Sequence, residues 1–439
     1  MNLPESPFQG GWRDEVGQAK IRCSTILLSV PRTMDVMRVA FVLLALACTL
    51  SLDHPYLHSQ ETRAVTHVTV PMSVEGDAPI VTLSFKRPNG NLRTARFVFD
   101  SGGGGIIFDE GLATDLGLRP EGATVFSDGQ QYRRVNVPVA FVGGMPVDLR
   151  SSKAFVHLGT TSFTNSIKVD GLLPGKAFEH YQVVLDYPRQ LLSVGDAGSL
   201  PHSGKRLACP YVAASGHPRV EVGIDGANYG FLLDTGTKLT LARVDMLQKW
   251  SREHLDWPRS TGAVGPANEN GASDVDAFML RVPSLQFGAF RLTQIAMVSR
   301  SDDIYSPTSY ETPGPIIGAL GGNVLSQFRV EIDYPEQLLF LERSDREEAD
   351  DFDTVGLVLD TNSAGQLIVR AVSSTASSVT RRNILPGDVI VRISGVDKAP
   401  HSLTEAAQAL SGSVGERKQL HILRNGKSMS VTVVVARVL

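Results

Sequence analysis

Two copies of one pattern, Phe97-Val98-Phe99-Asp100-Ser101-Gly102 and Phe231-Leu232-Leu233-Asp234-Thr235-Gly236, set an apolar strand directly ahead of Asp-Ser/Thr-Gly. Each copy is followed by a second matching segment, Asp186-Tyr187-Pro188-Arg189-Gln190-Leu191-Leu192 and Asp333-Tyr334-Pro335-Glu336-Gln337-Leu338-Leu339, identical at six of seven positions. The copies are offset by 134 residues at the first motif and by 147 at the second, so the second half carries a small insertion. Such agreement in order and spacing marks a duplicated carboxylate site.

The motif needs these residue types. A carboxylate at the end of a buried strand, with Gly two residues later, sits where the chain turns sharply and another segment must come close. The intervening Ser or Thr supplies a short hydroxyl that can bond backbone in the same loop. Two such loops related by a pseudo-twofold axis would bring Asp100 and Asp234 together. Carboxylates a few ångströms apart do not both ionise freely; they share a proton, one affinity pushed up and the other down. The two apparent values then belong to the pair.

At these residues the chain resembles the two-lobed aspartic peptidases of the pepsin and retropepsin kind, over residues 65 to 343. The resemblance implies a mainly β fold, two aspartic-protease-like β-barrel lobes with a substrate cleft between them. It also implies acid–base hydrolysis of peptide bonds without a covalent intermediate, a metal or a cofactor. By the same likeness Asp100 and Asp234 carry the chemistry, Ser101 and Thr235 lock the loops together, Gly102 and Gly236 permit the turn, and Thr237 follows in the family's pattern. The family's apolar-apolar-Gly segment is matched in lobe two by Ile316-Ile317-Gly318. In lobe one Asp170-Gly171-Leu172-Leu173-Pro174-Gly175 has Pro in place of that Gly. Gly103 also stands where the family carries Ser, Thr or Ala, which makes lobe one the place where activity could have been lost. A Gly-tipped hairpin around Gly129, with Tyr132, is the candidate flap.

Local patterns agree with a duplication. Ile80 to Phe85 and Arg93 to Phe99 are β-prone and separated by Pro88-Asn89-Gly90-Asn91, whose Asn-Gly is a hairpin signal. In the second copy Val220 to Ile224 alternates, then Asp225-Gly226 turns the chain into Tyr229 to Leu233. Helical patterns follow each motif, at Glu110 to Leu116 and Leu241 to Trp250. This divides the chain into an N-terminal segment (1–64), lobe one (65–203), lobe two (204–343), a charged linker (344–352) and a C-terminal domain (353–439).

In that last part, Leu385-Pro386-Gly387-Asp388-Val389-Ile390 leading into Arg392-Ile393-Ser394-Gly395 is similar to the Pro-Gly-Asp-hydrophobic-Ile signature of PDZ domains. The order of a strand at Gln366 to Val372, a helix end near Val379 to Ile384, a helix at Ser402 to Leu410 and strands at Gln419 to Arg424 and Ser428 to Val435 agrees. The resemblance implies a small α+β domain that takes an extended peptide as an added strand, either a C-terminus or an internal segment. Its clasp is placed at Gly365, Gln366, Leu367 and Ile368.

Other chemistries lack their residues. A net charge of −4 without a basic cluster gives no footprint for nucleic acid. The glycine run 102–105 is not followed by Gly-Lys-Ser/Thr and lacks dinucleotide spacing. His54 and His58 fall at a four-residue spacing but in an exposed-type linker, so no metal site is expected. Three cysteines, at 23, 48 and 209, do not make a disulfide framework, and Cys209 has no evident His partner. Trp250 and Trp257 read as packing residues, and Asp186 and Asp333 as turn stabilisers ahead of Tyr-Pro.

The apolar run from Val39 to Leu52, preceded by Arg32 and Arg38, has the length of a signal peptide's apolar core rather than a membrane span. A start at Met34 or Met37 fits this reading. Ala45-Leu46-Ala47 is a possible cleavage site, and Cys48 leaves a lipid anchor or an uncleaved membrane attachment open. The expectation is an exported protein, periplasmic or membrane-associated, that cleaves peptide or protein substrates. The alternative is a peptide-binding scaffold on a protease-like fold that has lost turnover.

Overall fold

The structure, a computed structural model, describes residues 66–127, 130–158, 168–269, 271–300, 308–345, 352–362, 364–395, 400 and 402–439. The N-terminal signal or anchor segment, Gly129 of the candidate flap and most of the charged linker lie outside the described residues. Val65–Leu439 is one compact unit.

Two lobes are joined by a six-stranded antiparallel sheet. Its order is His67–Pro71, Leu191–Asp196, Tyr181–Asp186, Phe328–Asp333, Leu338–Arg343, Lys205–Ala208. The two central strands lead into the repeated Asp-Tyr-Pro segments. They pair Gln182 with Asp333 and Asp186 with Arg329, which sets Val184 against Glu331. Val184 and Glu331 are the same position of the two copies, each two residues before its Asp. The pseudo-twofold axis therefore passes through this pair. At Glu331 the second copy carries a buried carboxylate where the first has an apolar side chain. That carboxylate is held by Arg329 Nη1 at 3.0 Å and His202 Nδ1 at 2.6 Å.

Each half then repeats one sheet plan. In lobe one the hairpin Ala78–Lys86 and Leu92–Asp100 turns at residues 87–91, with Gly90 at φ +85°. Leu92–Asp100 pairs in parallel with Gly171–Pro174, which pairs antiparallel with Ile106–Phe108. In lobe two Arg219–Ile224 and Ala227–Leu233 form the hairpin, Gly318–Leu320 lies parallel to the second arm, and Thr240–Arg243 pairs antiparallel to that. Arg219–Ile224 also bonds Phe278–Phe287, which curls the lobe-two sheet toward a barrel. Alternating apolar residues supply the core. Phe85, Phe97 and Phe108 meet with ring centroids 5.7 to 5.9 Å apart, tilted or edge-on.

Two local expectations are corrected. The helical pattern from Leu241 begins with a strand, because Thr240–Arg243 fills the gap between Gly318–Leu320 and Phe290–Arg300; the helix is Val244–Glu253. The copy of Leu172-Leu173-Pro174 is Ala319-Leu320-Gly321, not Ile316-Ile317-Gly318. Leu173 pairs with Phe99 as Leu320 pairs with Leu233, and Gly171 pairs with Phe97 as Gly318 pairs with Phe231. Both of these last glycines are squeezed by the next strand. A β-carbon would stand 2.2 Å from Ile107 O at Gly171 and 2.1 Å from Leu241 O at Gly318.

The C-terminal module is a five-stranded antiparallel sheet in the order Leu357–Thr361, Leu367–Val372, Val389–Ile393, Arg417–Arg424, Lys427–Val434. Helices Ser378–Asn383 and Leu403–Leu410 accompany it, and Val369, Ile390, Ile393, Leu420 and Ile422 form its core. Among the described residues no helix is long and apolar enough to cross a membrane.

Candidate active site

Each aspartate ends the second arm of its hairpin, and the loop behind it reaches into the other lobe. The Thr235 hydroxyl accepts from Ser101 N–H at 3.0 Å and donates to Phe99 O at 2.6 Å. The Ser101 hydroxyl accepts from Thr235 N–H at 3.0 Å and donates to Leu233 O at 2.6 Å. Both side chains are fully buried, and four backbone groups at the lobe junction find a hydrogen-bond partner in the other lobe. This reciprocal clamp fixes where the two carboxylates point.

Asp100 Oδ1 accepts from Gly102 N–H at 3.1 Å; Asp234 Oδ1 accepts from Gly236 N–H at 3.0 Å and from Thr237 N–H at 3.3 Å. Each carboxyl lies against the glycine of the opposite loop: a β-carbon on Gly236 would stand 2.5 Å from Asp100 Cγ, and one on Gly102 3.0 Å from Asp234 Cγ. Burial, then the charge of Asp234, then their mutual hydrogen bond push the Asp100 carboxyl well above the usual carboxylate range. Asp234 is raised too, chiefly by burial, but the N–H groups of Gly236 and Thr237, the proton offered by Asp100 and the charge of His217 pull against this. Asp100 is the more strongly raised of the two, and the pair holds its proton jointly. Both residues keep part of their surface open to solvent.

The lobes differ in how the loops are backed. Behind Asp234, the Asn323 side chain accepts from Thr240 N–H and Thr240 Oγ1, each at 2.8 Å, and donates to Ala296 O at 3.0 Å. Gly321 allows this approach, since a β-carbon there would stand 2.5 Å from the Leu239 carbonyl. In lobe one the copy of Gly321 is Pro174, paired with Asp100 in the neighbouring strand and without an N–H. Gly103 donates its N–H to the Asp100 backbone carbonyl at 3.0 Å, and a β-carbon on it would stand 2.9 Å from Asp100 Oδ2. Thr237, its counterpart, turns its hydroxyl to Leu239 O at 3.2 Å.

Of the other expected site residues, Tyr132 lies on Gln130–Val135, the second arm of a hairpin with Glu121–Ser127, with its ring 5.5 Å from that of His157. The clasp residues are not at an open edge. Gly365 and Gln366 form the turn between two strands, closed by Asn362. Leu367 and Ile368 sit in a strand flanked on both sides, pairing with Thr361 and Asp360 and with Ile390 and Val389. An added strand has no place there; the edge strands of this sheet are Leu357–Thr361 and Lys427–Val434. Among the described residues no cluster of His, Cys, Asp and Glu could hold a metal.

Three features escaped the sequence reading. Tyr334 of the second Asp-Tyr-Pro is fully buried under lobe one, its hydroxyl 2.3 Å from where a β-carbon of Gly175 would stand. His217 is buried with Nδ1 3.3 Å from Glu311 Oε2. Lys238, four residues past Asp234, reaches Glu269 at 2.9 Å and Thr404 Oγ1 of the C-terminal module at 3.4 Å. The repeated Tyr was a visible signal; the other two depend on loops without periodicity.

No protein-family model and no curated protein matches the chain. Among solved structures, the aspartic proteinase from Irpex lacteus is similar in fold at a TM-score of 0.40 and 12% identity, covering 64% of this chain and 98% of that one.

Proposed function

We propose that this chain is an aspartic-type endopeptidase that hydrolyses peptide bonds with Asp100 and Asp234 sharing one proton. The observation that supports it most is the reciprocal Ser101–Thr235 clamp, which holds the two carboxyls against the opposite loops' glycines at the junction of two copied lobes. Asp234, ionised, takes a proton from water as the oxygen attacks the peptide carbonyl carbon. Asp100 gives its proton to the carbonyl oxygen, forming a tetrahedral diol. As the diol collapses, one of its hydroxyl protons returns to Asp100 and Asp234 hands its proton to the departing amine, so the dyad regains its starting state and no bond to the protein forms. In this reading the protein is exported through its N-terminal segment, and the C-terminal module is a PDZ-like binder that takes peptide on its edge strand.

The second reading, a peptide-binding scaffold without turnover, draws on Gly103 and Pro174, which leave lobe one without the backing found behind Asp234. One experiment separates them: purified full-length protein is incubated with a mixed peptide library from pH 3 to 7. Cuts that disappear in both Asp100→Asn and Asp234→Asn establish the peptidase. Cleavage absent at every pH, with library peptides retained, establishes the scaffold.

A further inference from the structure

One edge strand of the C-terminal module, Leu357–Thr361, is already covered by the chain itself. Asn268 of lobe two donates from Nδ2 to Leu359 O at 3.0 Å and accepts Leu359 N–H on Oδ1 at 2.7 Å. One side-chain amide thus supplies the donor and acceptor that one residue of an added strand would supply. Asn268 is itself held by Asp274 at 3.0 Å.

Around it the fit is close. Three glycines with φ between +57° and +83°, at 262, 265 and 271, bring lobe two against the module at Val358, Thr354 and Asp360. A β-carbon on Gly262 would stand 2.8 Å from Val358 Cγ2, and one on Gly271 2.4 Å from Asp360 Oδ1. Ala263, Val264 and Ala267 share a buried apolar cluster with Val358 and Phe352. At its margin the Ser260 hydroxyl meets that of Ser373 at 2.8 Å. Lys238 ties this contact to the Asp234 loop through Glu269 and through Thr404 on the Leu403–Leu410 helix.

We infer that residues 262–269 and 271–274 are a built-in occupant of the module's peptide-binding edge, and that the partner this surface fits is an extended peptide whose backbone replaces the Asn268 amide on Leu359. The inference rests on the peptide-binding reading of the module and not on the peptidase reading of the dyad. Filling the edge from outside requires lobe two to let go. Release also frees Glu269 and Thr404 from Lys238.

The test uses full-length protein and no cleavage assay. A pool of fluorescein-labelled decapeptides with free C-termini is titrated by fluorescence polarisation into the wild type, Asn268→Gly, and Ser260→Cys/Ser373→Cys in a Cys23→Ser/Cys48→Ser background. The expected result is binding at least tenfold tighter for Asn268→Gly than for the wild type. The oxidised cross-linked protein should bind at least tenfold more weakly than its reduced form. Native-state hydrogen exchange should show the Leu359 amide opening at least tenfold faster than that of Leu420, which is buried in an inner strand. Equal binding by oxidised and reduced protein, or a Leu359 amide that exchanges only with Leu420 in global unfolding, overturns the inference. So does failure of the pool to bind Asn268→Gly that is shown to be folded.

Discussion

Gly236 of lobe two lies directly against the carboxyl group of Asp100 of lobe one: a β-carbon on Gly236 would stand 2.5 Å from Asp100 Cγ. The converse contact is looser, with Gly102 placing its absent β-carbon 3.0 Å from Asp234 Cγ. The cradle for each acid is thus the missing side chain of the opposite loop.

Gly236→Ala should therefore displace Asp100 and cut kcat by on the order of 10²-fold, the usual effect of moving a reacting group by about 1 Å. Gly102→Ala should cost less. Steady-state kinetics on a peptide substrate, with thermal melts to show that both variants fold, checks the order.

Asp100→Asn and Asp234→Asn should each lower kcat by on the order of 10²- to 10⁴-fold. Activity in the wild type should fall on the acid side as the pair gains a second proton and on the alkaline side as it loses the shared one. Both groups are raised, so the window sits above the ordinary carboxylate range near about 4. Stability carries the opposite sign from a salt-bridged acid. The folded Asp100 holds its proton more tightly than the unfolded chain does, so its contribution is full below the unfolded value and is lost as pH rises through the folded one. Asp100→Asn should melt higher than the wild type at pH 7, with the gap closing below about pH 4.

Thr235→Val removes the partner of both Ser101 N–H and Phe99 O in a buried junction. Each orphaned group should cost about 1–3 kcal/mol, and Thr235→Ser should recover most of it. Chemical denaturation measures the loss, and the ratio of kcat values shows whether the dyad has also moved.

Gly103→Ala puts a methyl group 2.9 Å from Asp100 Oδ2. Expected is a fall in kcat smaller than that of Gly236→Ala, since a carboxylate end can give where its Cγ cannot. A pH–rate profile with a shifted alkaline limb would trace the change to Asp100.

Much of this site was legible in the sequence because duplication wrote it twice. Two strand-Asp-Ser/Thr-Gly motifs and two Asp-Tyr-Pro segments specify paired lobes, and the pairing of Val184 with Glu331 follows their offset. Errors arose where one copy was read alone. Ile316-Ile317-Gly318 has the right composition three residues early, and only its neighbour in the sheet fixes the register. The helix expected from Leu241 begins at Val244 because tertiary pairing claims the first residues as a strand. Asn268 could not be found at all: it lies in a loop of Gly, Pro, Ala and Asn with no period, and its role depends on a strand 91 residues later.

Glu331 carries one more consequence. If second lobes from two separate molecules joined through Phe328–Asp333 in the register used here, Glu331 would face Glu331, two acids sealed from water and directly opposed. Within one molecule it faces Val184 instead. The charge thus penalises pairing of one second lobe with another and favours the mixed pairing of lobe one with lobe two.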